Sequence, residues 1–281
     1  MTAPEPSVDS VAEDLIGWLE VGPRTTRVVS HRSILVDRPL PSPWFATANR
    51  LRYAPGQADL AIDEVRRWFA GRGRAAFCWV LGVTTAPAGL ANRLLARGAT
   101  FDETLTAMVL DTPPPSGPSD VRTTAVETLE DYATVLEIQA AAFGFSDAGP
   151  DREARLEAAR ADWDYWSSEP GRSYLLAWVD GEPVAMAGMA RTVHGPLALS
   201  GGATLPAARG RGAYRALVRA RWELAVRDGP PSFVVQASAM SRPILAGVGF
   251  RAVSEVVVLA DHADPPADTR PNTAGPGALP A

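Results

Sequence analysis

The chain has 281 residues, of which 46% are apolar, a length and composition that suit two ordinary domains or one large one. Its formal net charge of −5, without blocks of like charge, argues against a nucleic-acid partner. No apolar run is long enough to span a membrane and the N-terminus lacks a signal-peptide pattern, so we expect a soluble, cytoplasmic protein with no membrane partner.

Counts of single residue types exclude further classes of site. One cysteine, Cys78, allows no internal disulfide, and we expect it to be an inert core residue. The 3 histidines stand far apart without the spacing of zinc ligands, so we expect no metal. All basic residues are arginines, so no lysine can act as a base or a nucleophile.

Two stretches divide the chain into lobes. The run "DTPPPSGPSD" is rich in proline, serine and glycine and predicts a linker over residues 113–119. Residues 262–281 contain few large apolar side chains and predict a disordered tail. The division gives a first lobe over residues 1–112 and a second lobe over 120–261.

The first lobe ends in a pattern that returns in the second. Residues 94–111, "LLARGATFDETLTAMVLD", resemble residues 244–261, "ILAGVGFRAVSEVVVLAD". Each segment predicts a short helix, a glycine stop and an apolar strand. The echo suggests that the two lobes descend from one duplicated fold.

The second lobe alternates strands and helices. Apolar spacing predicts the order β-α-α-β-β-β-α-β-α-β, with hairpin turns at Asp180-Gly181 and Gly195-Pro196 and a long helix after Pro206. The predicted fold class is α/β in the layered α+β sense, each lobe having a mixed, mostly antiparallel sheet flanked by helices.

A glycine-arginine stretch, Arg209 to Tyr214, stands between a strand and that long helix. The first N–H groups of a helix have no internal partner, and glycines let a ligand approach the backbone. The stretch therefore predicts a pyrophosphate-binding loop, the alternative being a plain turn with solvated arginines. A look-alike, Gly71 to Arg74, follows a helix, and we interpret it as a helix C-terminus and turn that does not bind phosphate.

With these residues the second lobe resembles the GNAT superfamily of acyl-CoA-dependent N-acyltransferases, whose signature Q/R-x-x-G-x-G/A is matched except at Tyr214. The first lobe looks like the degenerate N-terminal half of tandem GNAT proteins. The resemblance implies acetyl-CoA as cosubstrate and a β-bulge, for which Gly201-Gly202 is a plausible pair. The residues that it implies for CoA binding are Ala203, Thr204, Leu205, Arg209, Gly210, Arg211, Gly212, Ala213, Tyr214 and Arg215.

The same resemblance implies direct transfer of an acetyl group to an amine, with a base and an acid. The family's tyrosine acid is missing, because Leu245 occupies its position before Gly249-Phe250. Candidates for catalytic roles are Ser238, Ser241 and Tyr214, although the serines also suit a helix cap. His194 is the only histidine of this lobe and a candidate base, although it also suits a solvated hairpin. Other open sources of the base are Asp147, Glu153, Asp164 and a water relay.

Three aromatic residues are candidates for a wall of the acceptor pocket. Trp163 and Trp166 lie on the apolar stripe of a predicted helix and suit core packing equally well. Tyr165 lies off that stripe, so we expect it to be more accessible.

The leading hypothesis for function is an N-acetyltransferase acting on the amine of a small molecule, natural product or peptide. The alternatives are a catalytically inactive CoA-binding regulatory or interaction protein and a thioester enzyme that does not acetylate amines. The motif indicates the donor and leaves the acceptor and the oligomeric state open.

Overall fold

The computed structural model of the chain describes residues 5–143 and 152–263, and the strands in these ranges form one 11-stranded sheet. The strands are β1 Thr26–Val29, β2 Ile34–Asp37, β3 Ala46–Asn49, β4 Ala76–Gly82, β5 Thr100–Leu110, β6 Arg122–Ala125, β7 Arg172–Val179, β8 Glu182–Arg191, β9 Leu197–Thr204, β10 Phe233–Ala237 and β11 Arg251–His262. The helices are α1 Val8–Glu13, α2 Leu15–Trp18, α3 Ala58–Ala70, α4 Leu90–Ala96, α5 Leu129–Phe143, α6 Arg152–Trp166, α7 Ala213–Ala225 and α8 Arg242–Gly247.

The element order predicted for the second lobe is confirmed. The tight turn between β7 and β8 has positive φ at both Asp180 (54°) and Gly181 (86°), as a two-residue hairpin of this kind requires. Helices flank a mixed, mainly antiparallel sheet, so the predicted fold class is confirmed as well. Of the predicted tail, His262 still belongs to β11, whereas residues 264–281 lie outside the described residues.

The centre of the sheet joins the two lobes. The strand order is β1-β2-β3-β4-β11-β5-β10-β9-β8-β7-β6, so the last strand of each lobe pairs with a strand of the other. β11 is antiparallel to β4 and β5, and β5 is antiparallel to β10. The first lobe therefore supplies a strand to the half of the sheet that carries the glycine-arginine loop.

Helices cover both faces of the sheet. Alternate side chains of β5 divide between the faces, with Ala107 and Val109 against α1 and with Met108 and Leu110 in the cluster that holds α7. On one face α3, α4, α7 and α8 pack, and on the other α1, α2, α5 and α6 pack. All the strands that carry the site are thus buried between two helical layers.

Two pairs of parallel strands diverge after short contact. β9 and β10 pair only at Leu197↔Phe233 and Ala198↔Val234, and β3 and β4 pair over an equally short stretch, Thr47↔Cys78 and Ala48↔Trp79. In the first lobe the chain itself closes the gap beyond the paired residues. The Ala86 N–H donates to the Leu51 carbonyl (2.9 Å), and the Tyr53 N–H donates to the Ala86 carbonyl (3.1 Å).

β9 carries a β-bulge on the side where it pairs with β8. The register between β8 and β9 passes from Met186↔Ala203 to Gly188↔Ser200, which leaves one extra residue on β9. Gly201 has φ 59°, a conformation that favours glycine. The bulge predicted at Gly201-Gly202 is confirmed.

Candidate active site between the lobes

A cavity of about 1000 Å³ opens where β9 and β10 diverge. On one face of the sheet it is lined from α7 and α8, by residues that include Tyr214 and Leu245. On the other face it is lined from the first lobe. The cavity therefore passes between the diverging strands, and a molecule on one face could meet a molecule on the other. The lining residues of the first lobe are Leu15, Ile16, Leu19, Trp44, Glu103 and Leu105.

The glycine-arginine loop lies at one end of this cavity. A 3-10 turn over Pro206–Ala208 follows β9, and α7 begins at Ala213 with Gly212 as its N-cap. Gly210 and Gly212 have φ of 82° and 81°. Among the described residues no side chain caps this helix, so its first N–H groups face the cavity without a side-chain acceptor. Such an N-terminus attracts anions.

The three arginines of the loop have different environments. Arg209 and Arg215 line the cavity, and within residues 5–143 and 152–263 neither has an ion-pair partner. Arg211 pairs with Asp180 of the β7–β8 turn (2.9 Å) and does not line the cavity. Two cationic side chains therefore remain for an anionic ligand, and the third is held on the neighbouring hairpin.

The look-alike loop in the first lobe has the opposite character. It follows the C-terminus of α3, with Gly71 as the C-cap and Gly73 at φ 73°. Arg72 and Arg74 both bind Asp37, at 2.9 and 2.6 Å. The interpretation as a helix end and turn is confirmed, and its arginines serve the fold.

The backbone of β9 alternates in direction. The Leu205 N–H donates to the Val184 carbonyl (2.9 Å), so the groups of Thr204 point away from β8 into the cleft. Ala203 and Thr204 line the cavity and Leu205 does not. The Leu205 N–H is used within the sheet, so the backbone of Thr204 is the part of this segment directed into the cleft, and the binding roles of Ala203 and Leu205 stay predictions.

The two candidate serines meet at the mouth of β10. Their hydroxyl oxygens are 3.3 Å apart, and the Ser241 N–H donates to the Ser238 Oγ at 3.4 Å. Both residues line the cavity. Ser241 is the N-cap residue of α8, but its side chain makes no capping hydrogen bond, and a catalytic role of the two serines stays a prediction.

His194 lies apart from the other candidates. It sits in the β8–β9 turn, at the end of β9 remote from the loop, and its ring packs edge-on against Trp18 with centroids 4.5 Å apart. It does not line the cavity. A role for His194 as the base is therefore not supported. It precedes the residues at which β9 and β10 pair, whereas the cavity opens beyond them.

The predicted aromatic wall is also corrected. Tyr165 is 1% exposed and its hydroxyl lies 2.7 Å from the Thr25 hydroxyl, so it is buried between the lobes rather than accessible. Trp163 and Trp166 belong to the core around α5 and α6 and do not line the cavity. Helical spacing wrongly predicted an accessible Tyr165, because the first lobe covers the side of α6 that carries this residue.

Sequence reasoning missed an acidic residue. Glu103 of β5 is the one acid among the described residues that line the cavity. Partial burial raises the pKa of its carboxyl, and the neighbouring Asp102 raises it further. No local pattern marks Glu103, since its place depends on the pairing of β5 with β10.

The described residues contain no cluster of His, Cys, Asp or Glu side chains that could hold a metal ion. In the same ranges, none of the helices combines the length and the apolar character needed to cross a bilayer.

Comparison with known proteins agrees with this geometry. Residues 132–237 match the model of the acetyltransferase (GNAT) family. No curated protein matches the chain by sequence.

Solved structures show the same fold across both lobes. A GCN5-related N-acetyltransferase from Kribbella flavida is 18% identical, with 90% of this chain and 95% of that chain covered and a TM-score of 0.63. A tandem GNAT protein from the clavulanic acid biosynthesis pathway is 19% identical, with 95% and 90% covered and a TM-score of 0.59. A GCN5-related N-acetyltransferase from Sphaerobacter thermophilus is 17% identical, with 85% and 82% covered and a TM-score of 0.56.

Proposed function

From the premise that the second lobe is a GNAT domain, we propose that the protein transfers an acetyl group from acetyl-CoA to the amine of a small molecule, natural product or peptide. The observation that carries the proposal is the cavity itself. On one face of the sheet the cavity meets the N-terminus of α7 and two arginines, which have no side-chain cap and no ion-pair partner in the described part of the chain, and on the other face it reaches the first lobe. A donor and an acceptor can thus approach one point from opposite faces.

The residues present fit CoA. Its pyrophosphate would lie on the N–H groups of α7, with Arg209 and Arg215 neutralising its charge. Its pantetheine arm would lie along the outward-facing backbone of Thr204, in the gap that β9 and β10 leave open. Acetyl-CoA supplies the acetyl group as an activated thioester, and the loop residues hold and orient it.

The part of the cavity that the first lobe lines would hold the acceptor. It is mostly apolar, and its one described acid belongs to the first lobe. Leu15, Ile16 and Trp44 line the same cavity as Glu103. A carboxylate there attracts a protonated amine and then removes the proton that the amine must lose. We therefore assign the role of base to Glu103 in this proposal, in place of His194.

A thiol-release assay tests the proposal. Purified protein is incubated with acetyl-CoA and a broad panel of primary amines, and free CoA is measured together with the acetylated product by mass. Release that depends on the amine and yields an acetylated amine supports the proposal.

Two other outcomes decide between the alternatives. Tight CoA binding in calorimetry without turnover on any amine would favour a CoA-binding regulatory protein. Release of CoA without an acetylated amine would favour a thioester enzyme of another kind. One observation favours the regulatory alternative: the position of the family's tyrosine is held by Leu245, a core residue that is 1% exposed.

A further inference from the structure

We propose that Tyr214 is the acid that protonates the departing CoA sulfur, with the buried cation Arg221 as its positioning residue. The inference rests on the proposed function, since it concerns the same donor. It joins two departures from the family pattern, a tyrosine at the end of the loop motif and a leucine at the position of the usual acid. The first departure compensates for the second.

Tyr214 turns back toward the bulge of β9. A Cβ built on Gly202 would lie 2.4 Å from Cε2 of Tyr214 and 3.3 Å from Cζ, which carries the hydroxyl. The ring therefore occupies the space that a side chain at residue 202 would fill, and Gly202 is required beside it. Tyr214 also lines the cavity. The hydroxyl end of Tyr214 thus lies at the bulge of β9. In the proposed complex the thioester of acetyl-CoA would reach this point.

Arg221 is a buried charged residue two turns further along α7 than Tyr214. The residue is 1% exposed. Nε donates to the Leu217 carbonyl (3.1 Å) and Nη1 donates to the Gly188 carbonyl (2.9 Å). Nη2 has no hydrogen-bond partner among the described residues, and Arg221 lines the cavity. An unsatisfied buried guanidinium nitrogen costs free energy unless a ligand completes it.

No carboxylate is paired with this guanidinium in the described part of the chain, so the site carries an uncompensated positive charge. Burial lowers the pKa of Arg221, and the neighbouring Tyr214 acts in the opposite direction. A positive charge at this place favours negative charge on a nearby tyrosinate or thiolate. The pair therefore suits a step in which negative charge appears on sulfur and then on the tyrosine oxygen.

The step balances without any further reactant. The amine nitrogen bonds to the thioester carbon, the C–S bond breaks, and its electron pair goes to sulfur. The Tyr214 hydroxyl gives its proton to sulfur, which leaves as the CoA thiol. The tyrosinate, stabilised by Arg221, recovers a proton through solvent, and the amine loses one to the base.

The thiol of bound CoA provides a test that needs no acceptor. Its ionisation is followed by ultraviolet absorbance across pH, and the signal of the complex with desulfo-CoA is subtracted to remove the tyrosines. The protein's own thiol does not interfere, because burial raises the pKa of Cys78 to about 12. The donated hydrogen bond should hold the pKa of the bound CoA thiol about one unit below its value in Tyr214→Phe.

Matched variants separate a chemical role from a structural one. Tyr214→Phe keeps the ring against Gly202, so the variant should still bind CoA in calorimetry and its bound thiol can be titrated. Tyr174→Phe removes a hydroxyl that does not line the cavity and should leave the thiol pKa at the wild-type value. Arg221→Met should raise the thiol pKa in the same direction as Tyr214→Phe. Because Arg221 also bonds two buried carbonyls, Tyr214→Phe decides the question if that variant does not fold.

The outcomes are distinct. An equal thiol pKa in wild type and Tyr214→Phe, with CoA bound in both, would overturn the inference and leave the proposed function standing. A wild-type protein that does not bind CoA would overturn the proposed function and this inference with it.

Discussion

The two pairs of diverging strands are built alike and end differently. In each lobe two parallel strands part after a short contact, and a glycine-arginine loop lies nearby. In the first lobe the Ala86 backbone bonds between Leu51 and Tyr53 and fills the gap. In the second lobe the corresponding gap opens into the cavity. A similar arrangement of strands is therefore not enough for an open cleft, because the chain itself can close the gap between the strands.

The charges of the two loops teach the same lesson. Arg72 and Arg74 bind Asp37 and support the first lobe, whereas Arg209 and Arg215 face the cavity. The direction of the adjoining helix explains the difference, since α3 ends at its loop and α7 begins at its loop. Helix polarity and the partners of each arginine distinguish the two loops, and glycine content does not.

The largest expected effect comes from a matched pair of glycines. Gly210 and Gly73 have φ of 82° and 73°, and a Cβ built on either meets nothing within 4 Å. Asp therefore strains both positions equally. Gly210→Asp should weaken CoA binding by about 1000-fold, because a carboxylate beside a phosphate costs about 4 kcal/mol at an effective dielectric constant of about 20. Gly73→Asp should leave the affinity unchanged in calorimetry.

Similar losses in both variants would contradict the distinction between the loops. Gly212 is a poorer test, because a Cβ there would lie 2.4 Å from Cγ of Pro118 and would disturb the linker.

Substitution of Glu103 tests whether the first lobe contributes a catalytic group to the cavity. Glu103→Gln should lower kcat by about 100-fold, within the range of general-base catalysis. Burial raises the pKa of Glu103, and a base acts when deprotonated, so the wild-type rate should rise with pH through that pKa. The pH–rate profile of the variant should lose this limb while CoA affinity stays unchanged.

Asp102→Asn is the matched control, since Asp102 is exposed and adjacent on β5 but does not line the cavity. Equal loss of kcat in the two variants would argue for a general effect of charge on β5.

Replacing one arginine of each loop by alanine compares the roles of the two loops directly. Arg215→Ala should weaken CoA binding by about 10-fold and flatten its dependence on salt, because one charge-assisted contact is lost. Arg74→Ala should not change CoA binding. It should instead lower the free energy of unfolding by about 1–3 kcal/mol, because the Leu40 carbonyl and Asp37 each lose a donor at 2.6 Å. Calorimetry and urea denaturation of both variants separate the two effects.

The smallest effect concerns the filled gap of the first lobe. Arg52, between the two residues that pair with Ala86, binds Asp14 at 3.5 Å. Burial raises the pKa of Asp14 from 3.8 to about 6, an effect that Arg52 partly opposes. Asp14 thus favours the folded state when protonated, and this stabilisation disappears as the pH rises through about 6.

Asp14→Asn removes that dependence. The stability of the variant relative to wild type should therefore increase between pH 4 and pH 7 by about 2 kcal/mol, measured by urea denaturation at each pH. A constant difference across this range would mean that Asp14 has an ordinary pKa in the folded protein.

Local patterns were enough to predict the elements of the second lobe. Apolar spacing located α5 and α7, and the Asp180-Gly181 pair located the β7–β8 turn, whereas the bulge on β9 was implied by the family resemblance. These features depend on residues that are close in sequence. The same holds for the contrast between the two loops, which needs only the order of strand and helix.

Contacts between distant parts of the chain could not be predicted in this way. Glu103 reaches the cavity because β5 pairs with β10, and Tyr165 is buried because the first lobe covers α6. His194 was chosen for its chemistry alone, and the position of its turn decides against it. Tyr214 stood out as a departure from a motif, but its contact with Gly202 required the structure.

The central position of β11 also bears on how the chain folds during synthesis. β4 is synthesised long before its antiparallel partner, Val256 to His262, so that edge of β4 stays unpaired until those residues have left the ribosome. Contacts of such long sequence separation slow folding, and an open strand edge invites wrong pairing while it waits. A shortened chain that lacks β11 would therefore expose β4 and β5 together, and its defect would appear as aggregation of both lobes.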